Sequence, residues 1–206
     1  IFGDHNVKIM YPNALYHHED LKPLFEPIFK LEHYPKGCVV AHEECITLGN
    51  RWNIPMKFLY TVNQETMRYI KKIYDEKGKI EESDLVLAKN FDDPLVGSDN
   101  IAMRLEYEDK AVYYFNPAYN ENLKECSGTD FQVTVGVYAA LFTLLKEDLD
   151  GGIYYTEDLM DTIFPKFLTD NMMIQEFVFE KEKNGDLKLI SKNPHISFGK
   201  GEFVKL

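Results

Sequence analysis

The chain has 206 residues, 45% of them hydrophobic and 28% charged, enough to bury a sizeable core in one domain. Its 23 Lys and Arg against 34 Asp and Glu leave a net charge of −11, which repels nucleic-acid phosphates and suits a cationic ligand or plain solubility. No run approaches the roughly 18–20 consecutive apolar residues of a membrane helix, and the start "IFGDHNVKIMYP" lacks a signal-peptide pattern.

Cys38, Cys45 and Cys126 have no CxxC spacing and the chain has no glycosylation sequon. Both features fit a reducing compartment, so a cytoplasmic protein without membrane or nucleic-acid partners is expected. The opening at Ile1 on strand-like apolar spacing predicts that these residues form the C-terminal part of a longer chain.

In chain order, "HHED" (17–20) reads as a capping and surface feature, and the proline-broken 19–37 as short helical turns and loop. "CVVA" (38–41) and "MKFLYTV" (56–62) read as strands. Asn63 as cap, Glu65 in the first turn and Gly78 as stop predict a helix over "NQETMRYIKKIYDEKG", with Arg68, Lys71 and Lys72 on a solvated face. "LVLA" (85–88) reads as a short strand, "NFDDPLVGSDN" as a loop, and 100–115 as a β-hairpin around "YEDK". "SGTDFQVTVGVYAALFTLLKED" (127–148), apolar around most of its circumference, predicts a central buried helix capped by Thr129 or Asp130 and ended by "DGG" at 150–152. A capped helix from Thr156 and a hairpin over 173–191, turning at Asn184 and Gly185, complete the reading. The sum is α+β, a mixed and largely antiparallel sheet packed on helices, in a single domain over 1–206.

Chemistry concentrates at "AHEE", where His42, Glu43 and Glu44 follow an apolar run. Read as a strand end, the segment puts His42 and Glu44 on one face and Glu43 on the other. An imidazole and a carboxylate on one face suit proton handling on an amine. A zincin-type metal site needs a second histidine where Ile46 stands, so no metal is expected. Tyr107, Tyr113, Tyr114 and Tyr119 read as half-buried packing or as an aromatic wall for a cation. The start of the long helix reads as simple capping or as amides facing a ligand or a neighbouring domain. No GxGxxG or Walker loop follows any predicted strand; Gly199 and Gly201 form an isolated pair.

Several segments, in one order, resemble the C-terminal half of homospermidine synthase, in the saccharopine dehydrogenase-like group. "AHEECIT" (41–47) resembles the family's "THNESIS", "NIPMKFLY" (53–60) its "YRP" strand, and "GSDNIAMRL" (97–105) its "GxDELGVLL". "KAVYYFN" (110–116) resembles its "NAYWYGS", and "SGTDFQVTVGVYAAL" (127–141) its "NATSLQVTAxVLAAM". "EDLDGGIYYTEDL" follows as the counterpart of "NPxxGxxxPExL", so the resemblance spans about residues 37–170. It implies a saccharopine dehydrogenase C-terminal-like domain for substrate binding and dimerisation. The implied enzyme is NAD-dependent, oxidises putrescine, releases ammonia and transfers the aminobutyl group to a second diamine.

The resemblance further implies His42 and Glu44 as catalytic residues. It places Glu43, Asp99, Tyr113 and Tyr114 at the diamine, and Thr129 and Gln132 at a helix N-terminus near the site. NAD would be bound mainly by an upstream domain. Glu43 stands where the family has Asn, Cys45 where it has Ser, and Tyr113 where it has Trp. A carboxylate-binding relative of the same group would need arginines, yet only Arg51, Arg68 and Arg104 exist. The contrasting possibilities are another imine-reducing oxidoreductase of that group or a non-catalytic polyamine-binding or assembly module.

Overall fold

A computed structural model describes residues 18–40, 42–86, 94–123 and 126–198. The expected strand spacing at 1–12, His17, Ala41, the second half of "LVLA", the start of the loop after it and the Gly199–Gly201 pair lie outside the described residues. The fold is α+β, with two antiparallel sheets packed against helices. The chain divides into two units, one ending at Leu85 and the next beginning at Val86.

In the first unit, β1 (His18–Asp20), β2 (Lys36–Val40) and β3 (Phe58–Tyr60) form a sheet in the order β1-β2-β3, both pairings antiparallel. Strand alternation buries Gly37 and Val39 on one face. A side chain at Gly37 would meet Leu21 Cδ2 at 2.9 Å and Leu59 Cβ at 3.3 Å, so glycine lets the strands close over Leu21. The opposite face carries His18, Cys38 and Tyr60 in one row and Val40 with Phe58 in the next. The short helix α1 (Lys22–Phe25) follows β1, with Asp20 Oδ1 accepting from the Lys22 amide at 2.9 Å; its N-cap is Leu21, which makes no side-chain cap, and His18–Asp20 is strand, so "HHED" does not cap the helix as expected.

The helix read over 63–78 is present as α3 (Gln64–Lys77), with Asn63 capping the Glu65 amide and Gly78 left-handed at φ 70°. Its basic residues lie exposed and paired, Arg68 with Glu65, Lys71 with Asp75 and Lys72 with Glu76. Two expectations fail here. "HEE" does not end a strand: β2 stops at Val40 and α2 (Glu43–Trp52) starts immediately, with His42 at its N-cap. Two acidic residues in the first turn and Asn53 left-handed at the C-cap favour that helix, and they outweigh the apolar run before it. Leu85 and Val86 are not in a strand.

In the second unit, β4 (Ser98–Glu106), β5 (Lys110–Tyr119), β6 (Gln175–Lys181) and β7 (Leu187–Asn193) pair in that order, all antiparallel. Both expected hairpins are therefore present, the second turning through Gly185 at φ 89°. The register slips by a bulge at Val178 and Phe179. β5 is buried on both faces: Asn116 and Ala118 approach helix α4 (Gly128–Lys146), while Ala111, Tyr113 and Phe115 share the other face with Phe177 and Phe179.

Helix α4 packs on α5 (Phe164–Asn171) through Ala139, Phe164, Phe167 and Leu159, the last from a 3-10 turn over Thr156–Leu159. The helix expected from Thr156 is thus a separate 3-10 turn and α5. The cap of α4 is Ser127, reciprocated by Asp130, and not Thr129. The helix ends at Lys146 with an extended Glu147, before Gly151 and Gly152, neither of which has positive φ. It is also not buried all round. Gly128, Gln132, Val135, Ala139 and Thr143 are its buried residues, whereas Val133, Val137, Leu141, Leu144 and Leu145 are exposed.

Candidate functional site

The turn from β2 into α2 brings together His42 and Glu44, the pair that the sequence reading placed on one face of a strand end. His42 leaves the strand in extended conformation (φ −123°, ψ 144°) and does not cap its helix. Its Nδ1 instead meets Glu44 Oε2 in a short contact across one residue. The ring also stacks on Phe58 of β3, with centroids 4.4 Å apart and planes at 20°. Strand pairing supplies that platform, because Phe58 is opposite Val40 at the end of β2. Phe58 is the residue that sequence reasoning missed, and the antiparallel pairing of the two strands was its only signal.

Both members of the pair are half-exposed, at 39% and 43% for the side chains, so a solute reaches them from solvent. Glu43 is exposed on the first turn of α2, and its carbonyl accepts from the Thr47 hydroxyl at 3.2 Å. Cys45 sits one residue beyond Glu44. Burial pushes its thiol up, and the Glu44 charge adds to the effect, so it is a poor nucleophile at neutral pH. Further along the same sheet face, Cys38 Sγ lies 3.4 Å from His18 Nδ1. No cluster of three or more His, Cys, Asp or Glu with metal-binding geometry occurs among the described residues.

The remaining predicted site residues belong to the second unit, where they are tied into its framework. Asp99 Oδ2 accepts the Thr129 amide at 2.9 Å, and Asn120 Oδ1 accepts the Gly128 amide at 2.7 Å. With the Asp130 amide bonded to Ser127 Oγ at 3.1 Å, the first turn of α4 already has protein acceptors. Gln132 is buried and its Nε2 donates to Asn116 Oδ1 at 2.7 Å, to the Asn116 carbonyl at 3.3 Å and to the Asp99 carbonyl at 3.2 Å.

Tyr113 is 1% exposed, edge-on to Phe179, with the Arg104 guanidinium 5.4 Å from its ring centroid. Burial raises its phenol, an effect that Arg104 partly offsets. Tyr114 stands opposite Glu176, and burial, with that carboxylate beside it, pushes its phenol up to about 12. At neutral pH both phenols are therefore neutral.

Among the described residues every strand pairing is antiparallel. Comparison with protein-family models, with curated proteins and with solved structures finds no match to this chain.

Proposed function

We propose that this chain supplies the diamine-binding part of a homospermidine synthase-like enzyme, with His42 and Glu44 as its working groups. The observation that carries the reading is the direct His42–Glu44 contact over the Phe58 ring, open to solvent. A carboxylate open to solvent suits an ammonium group, through a charge-assisted hydrogen bond. The net charge of −11 draws in dications, and the scarcity of arginine disfavours substrates bearing carboxylates.

In this reading Glu44 holds one ammonium of putrescine while His42, oriented by the same carboxylate, takes or returns a proton at the amine. NAD, held by residues other than these, would accept and return the hydride. The ordered likeness to the family from about residue 37 to 170 supports the assignment to a saccharopine dehydrogenase C-terminal-like domain. Asp99 enters it as the anchor of α4, not as a free carboxylate.

The test is calorimetric titration of putrescine into the protein and its Glu44→Gln variant, followed by an assay for ammonia release with putrescine and NAD. Wild-type binding that weakens by roughly 10- to 100-fold in the variant is expected from losing one charged hydrogen bond. Equal affinity in both proteins removes Glu44 from the role. Binding without ammonia release in the complete polypeptide favours the binding-module alternative.

A further inference from the structure

On the outer face of the first sheet, β1 and β2 bring a thiol and an imidazole together. Cys38 lies opposite His18 in the strand register, and its Sγ is 3.4 Å from His18 Nδ1, within reach for a thiol donating to a ring nitrogen. Gly37 and Val39 turn inward, so strand alternation turns Cys38 outward, where it is partly exposed beside an exposed His18. Tyr60, 55% exposed, faces Cys38 from β3. The adjoining rows hold Asp20 opposite Lys36, whose charges offset each other, and Val40 opposite Phe58.

The other two thiols differ. Burial and the Glu44 charge push the Cys45 thiol up. Cys126 is exposed but has no imidazole at its sulfur among the described residues. A nucleophile beside a base, reachable from solvent, is the arrangement that makes one thiol of several reactive.

We propose that Cys38 is a site of reversible thiolation by low-molecular-weight disulfides, with His18 as its proton acceptor. Sγ attacks one sulfur of the disulfide while the thiol proton passes to His18 Nδ1, in the ring tautomer that carries its own proton on Nε2. The disulfide bond of the reagent breaks as the new S–S bond to Cys38 forms. The departing thiolate takes the proton from His18, so one half of the reagent is reduced to a thiol as Cys38 is oxidised to a mixed disulfide. A small thiol reverses the same step.

Acyl transfer is the competing chemistry of a thiol–imidazole pair, and it passes through an oxyanion that needs aimed donors. β2 is the central strand and Cys38 is paired on both sides, so its backbone bonds go to β1 and β3. Exchange passes through three sulfurs and asks only for access and a proton acceptor.

The inference does not rest on the diamine reading, and its test reads thiol modification, not amine binding. The neutral probe bis(2-hydroxyethyl) disulfide is added to the protein between pH 6 and 9, and peptide mass mapping follows each cysteine. An unassisted thiol slows about tenfold per pH unit below about 8.5, whereas an imidazole still accepts a proton down to about pH 6.5. Cys38 is therefore expected to react at least about tenfold faster than Cys126 at pH 6.5, with a shallower pH profile. His18→Ala should bring Cys38 to the rate and slope of Cys126, which serves as the control within the same molecule. Should that variant not fold, the wild-type profiles decide alone. Equal rates and slopes at Cys38 and Cys126, or a folded His18→Ala protein in which Cys38 reacts as before, overturn the proposal.

Discussion

Gly128 illustrates how one missing carbon joins two elements. A Cβ there would lie 2.6 Å from the Ala118 carbonyl oxygen and 3.0 Å from Asp99 Oδ2, so the helix could no longer begin against β5 and still bond Asp99. Backbone cannot yield as a side-chain tip does. Gly128→Ala is therefore expected to lower stability by about 1–3 kcal/mol in urea unfolding, as overpacking does. Gly136, inside the same helix, has nothing within 4 Å of its Cβ position, and Gly136→Ala should raise stability by about 0.5–1 kcal/mol. Opposite signs at two glycines of one helix separate steric closure from helix propensity; equal effects would contradict the packing described for Gly128. At the candidate site the same scale of reasoning found His42 and Glu44 but not Phe58, because the stacking partner is distant in sequence and declared only by strand register.

Among the elements, those with complete local punctuation were legible from sequence. Asn63 to Gly78 gave α3 its start and stop, and "NGD" gave the β6–β7 hairpin its turn. Helix α2 was not legible as such, since the apolar run before it carried more weight than the two glutamates and Asn53 that mark its ends. Helix α4 was found but its burial was misjudged. An apolar circumference says that a helix avoids water on every side, not that its own chain supplies every cover.

What fixes α4 to the sheet is polar. Gln132 Nε2 serves three acceptors on β4 and β5, and Asn116 Nδ2 in turn reaches the Met173 carbonyl at 3.4 Å. Gln132→Leu leaves those buried oxygens without their donor and is expected to cost about 1–3 kcal/mol. Gln132→Glu, which faces them with a carboxylate, should cost more, and thermal or urea unfolding ranks the two. A Leu variant as stable as wild type would show that apolar packing alone holds the helix.

Over the whole molecule the buried apolar residues are unevenly shared. The first unit has Leu21, Val39 and Ile73, whereas the second has Tyr113, Phe115, Phe164, Phe177, Phe179 and others around a four-stranded sheet. A core of that kind is expected to fold by itself, so residues 86–206 expressed alone should unfold cooperatively with the hairpin amides protected from hydrogen exchange. A non-cooperative transition would show that the second unit depends on the first.

One detail of the second sheet bears on how the protein survives at high concentration. Among the described residues β7 is an edge strand with one side unpaired, and Leu189 and Ile190 are exposed on it. Lys188 and Lys192 lie on the same strand, and the bulge at Val178 and Phe179 breaks the flatness of its pairing with β6. Charge and curvature together deny an incoming strand a regular template. A crowded solution of the chain is then denied this edge as a place where sheets of separate molecules join into fibrils.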